Sequence, residues 1–103
     1  MPINFINETV EIIADIKKAD DYSGVEIIII NKIKKHLANR VKIDVIDRHL
    51  RRLLKYFEGQ IKLTHCDTEY IKYMYSASII NILLETNYWH NWITELSSNS
   101  KGN

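Results

Sequence analysis

Apolar residues return at helical spacing in most of this sequence and are nearly continuous in one stretch. Phe5, Thr9, Ile12, Ile13 and Ile16 share one face of a helix over residues 4–19, with Lys17 and Lys18 in the last turn, where the helix dipole favours cations. A turn of Asp20 to Gly24 follows. Ser23 and Glu26 have capping-box spacing, so a second helix is expected to begin at Gly24 and continue through Ile29, Ile30, Ile33 and Leu37. The β-branched run 25–30 also suits a buried strand, but the periodicity persists past residue 30 and favours helix. Asn39 is placed in the left-handed position that closes this helix, and Asp44 caps the next. Ile46, Leu50, Leu53, Leu54 and Phe57 then oppose Asp47, Arg48, Arg51, Arg52 and Lys55, an amphipathic helix over 44–58 with Gly59 as its stop.

The stretch 68–86 differs from these. After the capping residues Asp67 and Thr68, Tyr70, Ile71, Tyr73, Met74, Ala77, Ile79, Ile80, Ile82, Leu83 and Leu84 leave no continuous polar stripe. Glu69, Lys72 and Ser76 project to one side and Ser78, Asn81 and Glu85 to the other. A helix apolar nearly all round is expected to be buried by its neighbours, as the central post of a bundle. Thr86 and Asn87 break the run, and Trp89, Trp92, Ile93 and Leu96 form a short helix expected to fold back on the post. The expected fold class is all-α: one compact bundle of four to five helices over residues 1–96, with 97–103 as a flexible polar tail. A variant pairs Ile61–His65 with Ile71–Tyr75 as the strands of a wing, but Cys66 to Glu69 is a poor hairpin turn and a good helix start.

Composition agrees with a single globular core. The chain has 103 residues, 46% hydrophobic and 26% charged, which suffices for one domain without a metal or disulfide staple. Three glycines and one proline leave few obligatory turns, and the lone Cys66 excludes an internal disulfide. The first ten residues carry Glu8 and no basic leader region, and the uncharged run Ile27–Ile30 is too short to span a bilayer, so a cytoplasmic location is expected. The sequon at Asn7 to Thr9 then has no consequence.

Charge changes the picture more than composition does. The net charge is +1, but residues 1–31 set two lysines against six acidic residues, residues 32–62 set ten basic against three acidic, and the remainder is again acidic. A basic middle third between acidic ends is either neutralised within the fold or presented to phosphates or an acidic protein.

Candidate chemistry is sparse. His65, Cys66 and Asp67 place thiol, imidazole and carboxylate side by side, yet adjacent residues seldom face one another and no Gly-rich framework accompanies them. His36, His49, His65 and His90 lack the spacings that aim ligands at one metal, and His36 and His49 are expected to be solvated helix residues. Asp44 and Asp47 each have an arginine four residues on, Arg48 and Arg51, and read as helix-surface ion pairs. Phosphate-binding and nucleophile-elbow motifs are missing. The sequence therefore predicts a non-enzyme without catalytic, cofactor or metal residues.

Two resemblances bear on binding. The segment His36 to Arg51, with Leu37, Ala38, Val41, Ile43, Ile46 and Leu50 as its apolar positions, resembles the helix-turn-helix of small transcription regulators. That resemblance implies a second helix in the major groove of duplex DNA, with Arg48, Arg51, Arg52 and Lys55 on bases and phosphates. In size, helical pattern and lack of catalytic residues the whole chain is similar to small all-helical immunity proteins, with the closing pair around Ala77, Leu83, Leu84, Trp89, Trp92 and Leu96 carrying the likeness. This second resemblance implies a non-catalytic inhibitor that neutralises a bacterial toxin by covering it. Tyr22, Tyr56, Tyr88 and Trp89, together with the acidic first helix (Glu8, Glu11, Asp15), are the interface residues it suggests. Protein binding is the leading expectation, with DNA binding as the alternative; a homodimer is a further arrangement, and a membrane partner is not expected.

Overall fold

A computed structural model describes residues 3–92. The described chain is an all-α bundle of four helices closed by a 3-10 turn: α1 Phe5–Lys18, α2 Tyr22–Ala38, α3 Ile43–Leu63, α4 Asp67–Thr86, and the 3-10 helix Tyr88–Asn91. Residues 25–30 are helical, and so are 71–75, which removes both strand alternatives. Ile93, Leu96 and the tail 97–103 lie outside the described residues.

Caps account for most of the boundaries, and several differ from the sequence expectation. Asn4 accepts a hydrogen bond from the Asn7 backbone N–H at 3.1 Å and starts α1. At α2 the cap is Asp21 rather than Ser23: its Oδ1 accepts from the Gly24 N–H at 2.9 Å, so the helix begins two residues before Gly24. Gly24 permits this tight entry, because a Cβ there would stand 3.2 Å from the Cβ of Ala19 at the end of α1.

The α2–α3 turn holds a Schellman arrangement in which the Arg40 N–H donates to the Leu37 carbonyl and the Val41 N–H to the His36 carbonyl, both at 3.0 Å. Arg40, not Asn39, takes the left-handed conformation at φ 62°. Val41, which follows it, is buried in the core. Lys42 precedes α3 without a side-chain cap, so Asp44 does not cap that helix and instead sits inside its first turn. Gly59 does not stop α3, which continues to Leu63. Glycine in mid-helix costs roughly 1 kcal/mol relative to alanine, and the extra turn offsets this by packing Ile61 against the core. Cys66, rather than Asp67 or Thr68, stands at the N-cap of α4, and Asn87 ends that helix at φ 55°.

Helix α4 touches each of the other three helices and is the centre of the bundle. Its buried residues are Tyr73, Ser76, Ile79, Ile80 and Leu83. They meet Ile12 and Ile16 of α1, Val25, Ile29, Ile33 and Leu37 of α2, and Ile46, Leu50, Leu53 and Phe57 of α3 in one core, with Trp89 as its largest fully buried side chain. Burying that many apolar side chains, each worth about 1.5–3 kcal/mol, is the main term holding the bundle together. Helix α4 is not enclosed all round, however. Tyr70, Ile71, Met74 and Ile82 are exposed, while the polar side formed by Glu69, Lys72 and Ser76 turns inward.

The inward polar side has a physical reason. Lys72 Nζ donates to the Lys17 carbonyl at 2.7 Å and caps the C-terminus of α1, where the helix dipole favours a cation. Glu69 lies 3.6 Å from Lys17 Nζ. Ser76, fully buried, donates its hydroxyl to the Lys72 carbonyl at 2.9 Å and leaves no unsatisfied polar atom. Small and satisfied, it lets a neighbouring helix approach.

Candidate functional site

Two surfaces carry the residues that the sequence singles out, and a shielded cluster adds a third feature. The first is the basic turn and helix from Arg40 to Lys55. Arg48, Arg51, Arg52 and Lys55 are all exposed on α3. Arg51 Nε donates to Asp47 Oδ2 at 2.8 Å, and Arg48 lies 3.7 Å from Asp44, so the i,i+4 pairs expected from the sequence are present. Arg52 lies over the Phe5 ring with its guanidinium carbon 4.2 Å from the centroid. Arg40, Lys42, Arg48 and Arg52 surround one open hollow floored by Ile3, Val45 and His49. Among the described residues, Arg40, Lys42, Arg52 and Lys55 form no ion pair with a carboxylate.

The second surface is the set of aromatic and acidic residues proposed as interface anchors, and the structure scatters it. Trp89 is fully buried, with no surface to offer a partner, because the left-handed Asn87 turns the 3-10 helix onto the core. Tyr22 is half-buried edge-on to Tyr75, and Tyr56 is half-buried against Phe57. Tyr88 is exposed and meets the Trp92 ring edge-on; Trp92 in turn lies under Lys34 Nζ at 5.2 Å. Burial raises the pKa of the Tyr73 and Tyr88 hydroxyls, the latter with help from Glu26. Glu11 and Asp15 are exposed on α1 and Glu8 is half-buried, and Glu8 and Glu11 reach side chains of α2. Glu11 accepts from Lys32 Nζ at 2.7 Å, and this bond holds the Glu11 carboxyl below its ordinary value. Lys32 loses some preference for its charge through burial, but Glu11 and then Glu8 more than restore it. Part of the basic middle is thus neutralised by the acidic first helix.

What the sequence missed on this scale is the exposed side of α4. Ile71, Met74 and Ile82, each 46% exposed, recur at i, i+3 and i+11 and form an apolar stripe with Tyr70 beside it. Asp67 and Glu85 stand exposed at its two ends. The apolar count of the helix was legible; which half would be covered was not.

The third feature is a cluster at the end of the bundle where α1, α2 and α3 meet. Glu8, His36 and His49 each bring one ligand atom to a point where all three atoms lie within 4.8 Å of one another. His36 Nε2 is 3.3 Å from Glu8 Oε1, and the two imidazole rings stand edge-to-face with centroids 5.9 Å apart. Glu8 Oε1, His36 Nε2 and His49 Nε2 are shielded from solvent, and none has a hydrogen-bond partner among the described residues. His49 is 6% exposed, and this burial, reinforced by the charges of His36 and Arg52, lowers its pKa from the ordinary 6.5 to about 4. It is a neutral imidazole at pH 7. The expectation that His36 and His49 are solvated is therefore corrected: the first is half-buried and the second buried.

Sequence spacing misses this group because its members come from three different helices. A weaker signal was available. Glu8 precedes Ile12 by four residues, His36 follows Ile33 by three, and His49 lies between Ile46 and Leu53 at three and four, so each sits in an apolar stripe. By contrast His65 and Cys66 are exposed in the short α3–α4 link, with the Cys66 N–H donating to Thr64 Oγ1. His90 packs against Trp89 with ring centroids 4.3 Å apart and, among the described residues, joins no ligand cluster.

No helix among the described residues is long and apolar enough to cross a membrane. Comparison of the chain with protein-family models, with curated proteins and with solved structures gives no match.

Proposed function

We propose that this chain is a non-catalytic protein-binding module of the immunity type, which neutralises a bacterial toxin in the cytoplasm by covering it. The observation that carries the reading is the stripe Ile71, Met74 and Ile82 with Tyr70 on the central helix: large apolar side chains left in water on an element otherwise committed to the core. Such a stripe, with Asp67 and Glu85 at its ends, suits an apolar surface rimmed by basic residues. Helix-face anchors at these spacings are how a helix docks into a groove.

Co-expression with the product of a neighbouring gene, followed by co-purification, tests the proposal. Ile71→Lys or Met74→Lys should abolish the complex and leave helical content and melting temperature unchanged. A complex that survives both substitutions, or no complex with any neighbouring product, refutes it. If the stripe instead pairs two copies of this chain, light scattering will show a dimer that the same substitutions dissociate, and the toxin-binding reading fails.

A second reading has its own observation, the group Arg40, Lys42, Arg48 and Arg52 around one hollow at the α2–α3 turn, and it makes the chain a helix-turn-helix DNA binder. Titration of duplex DNA across a salt series separates the two. Affinity that falls steeply with salt and drops on Arg51→Ala or Arg52→Ala supports DNA binding; no salt-dependent affinity eliminates it.

A further inference from the structure

We propose that Glu8, His36 and His49 form a binding site for one divalent transition-metal ion of the zinc class, which ties α1, α2 and α3 together at one end of the bundle. Three features of the geometry support this. Two donors on a tetrahedral zinc ion with bonds of about 2.0–2.1 Å stand about 3.4 Å apart, and Glu8 Oε1 and His36 Nε2 are already 3.3 Å apart. The third donor, His49 Nε2, lies within 4.8 Å of both. All three atoms are out of water and without a hydrogen-bond partner, an arrangement that costs stability unless something fills it.

The donor set suits the ion. Two imidazoles and one carboxylate are ordinary zinc ligands, and a fourth position remains for water. Glu8 and His36 also line an open hollow with Ile3, Asn4, Asn7 and Asn39, which offers the entry path a filled site requires. The alternative use of the cluster is a simple ion pair between Glu8 and a protonated His36. That pairing leaves His49 Nε2 buried with no partner, whereas a metal satisfies all three atoms.

Two cations bear on the site. Lys32 Nζ is 3.9 Å from Glu8 Oε1, but its short bond, at 2.7 Å, is to Glu11, which carries its ion pair. Arg52 is held over the Phe5 ring, which itself meets the His49 ring edge-on at 5.7 Å. Neither occupies the point where the three ligand atoms converge. For a chain with one cysteine and no disulfide available, a metal bridging three helices supplies the cross-link that covalent chemistry does not.

The test is titration of the tag-free, metal-stripped full chain with Co²⁺, followed by displacement with Zn²⁺. The expected result is visible d–d absorption of a four-coordinate site saturating at one ion per chain, and a rise in melting temperature with Zn²⁺ that reverses with chelator. Glu8→Gln and His36→Gln, with helical content checked by circular dichroism, should each weaken binding by at least tenfold. His49→Gln should do the same if it folds. His65→Gln and His90→Gln should leave the spectrum and affinity unchanged. The proposal is overturned if Co²⁺ produces no such absorption, if Glu8→Gln and His36→Gln bind as tightly as the parent, or if the remote His65 or His90 variants are the ones that lose the ion.

Discussion

Two regions of this molecule break the usual rule in opposite directions. At the end of the bundle, Glu8, His36 and His49 bury polar atoms that nothing among the described residues satisfies. Along the outer side of α4, Tyr70, Ile71, Met74 and Ile82 leave apolar side chains exposed that no other described residue covers. Each region is locally unfavourable, the first because buried polar groups lose their hydration, the second because apolar surface remains exposed. Elsewhere among the described residues the Trp89 Nε1 and His90 Nε2 atoms are also buried without a partner, each singly and on the same short turn, whereas Ser76, completely buried, donates its hydroxyl to a carbonyl. The two proposals assign an outside partner to each region, an ion to the first and a protein surface to the second. Their chemistries are as different as the groups left unsatisfied.

The comparison can be broken most sharply by pH. His49, neutral in the fold, has a pKa lowered to about 4 from 6.5 by burial and by the charges of His36 and Arg52. Above pH 6.5 folded and unfolded chains bind the same number of protons at this site; between 6.5 and about 4 only the unfolded chain takes one up. Stability must therefore fall as pH falls through that window, by up to about 3 kcal/mol from this residue alone. Urea unfolding of the chelator-treated protein at the two ends of the window measures it, with His49→Gln in parallel to subtract Glu8 and the other carboxylates. Equal losses in both proteins would mean that the polar cluster is hydrated and the contrast with α4 is false.

A smaller effect tests the inward polar side of α4. Lys72→Met removes the donor to the Lys17 carbonyl while keeping the aliphatic stem. It should cost about 1 kcal/mol, the range of an intramolecular hydrogen bond near solvent, read as a lowered urea midpoint with an unchanged slope. The smallest effect belongs to the apolar stripe. Ile71→Lys and Met74→Lys should change unfolding free energy by less than about 0.5 kcal/mol, as at other surface positions. A loss of several kcal/mol would show that those side chains already pack within the chain and have no partner to find.

Helix α3 shows what periodicity alone can do. Its apolar positions Ile46, Leu50, Leu53 and Phe57 are all buried, and Arg48, Arg51, Arg52 and Lys55 all lie outside, as the spacing requires. Only the ends were misread, because Lys42 and Gly59 behave against their usual roles: an uncapped lysine starts the helix, and a glycine is carried through it to bury Ile61. Helix α4 shows the opposite. With apolar residues on every side, its sequence contained no preference for which face to bury. The choice was made by the rest of the fold, since Lys72 could reach the end of α1 and Ser76 was small enough for close approach.

The amino-acid order by itself determined the four helices, the single core and the charge division between acidic first helix and basic middle, because these follow from contacts within a few residues and from the apolar period. Tertiary structure alone decided that Trp89 is core and not surface, that α4 keeps an uncovered stripe, and that Glu8, His36 and His49 meet. Those outcomes depend on how three helices are rotated about their own axes. That rotation is fixed by packing between residues far apart in the chain, which a local pattern does not encode.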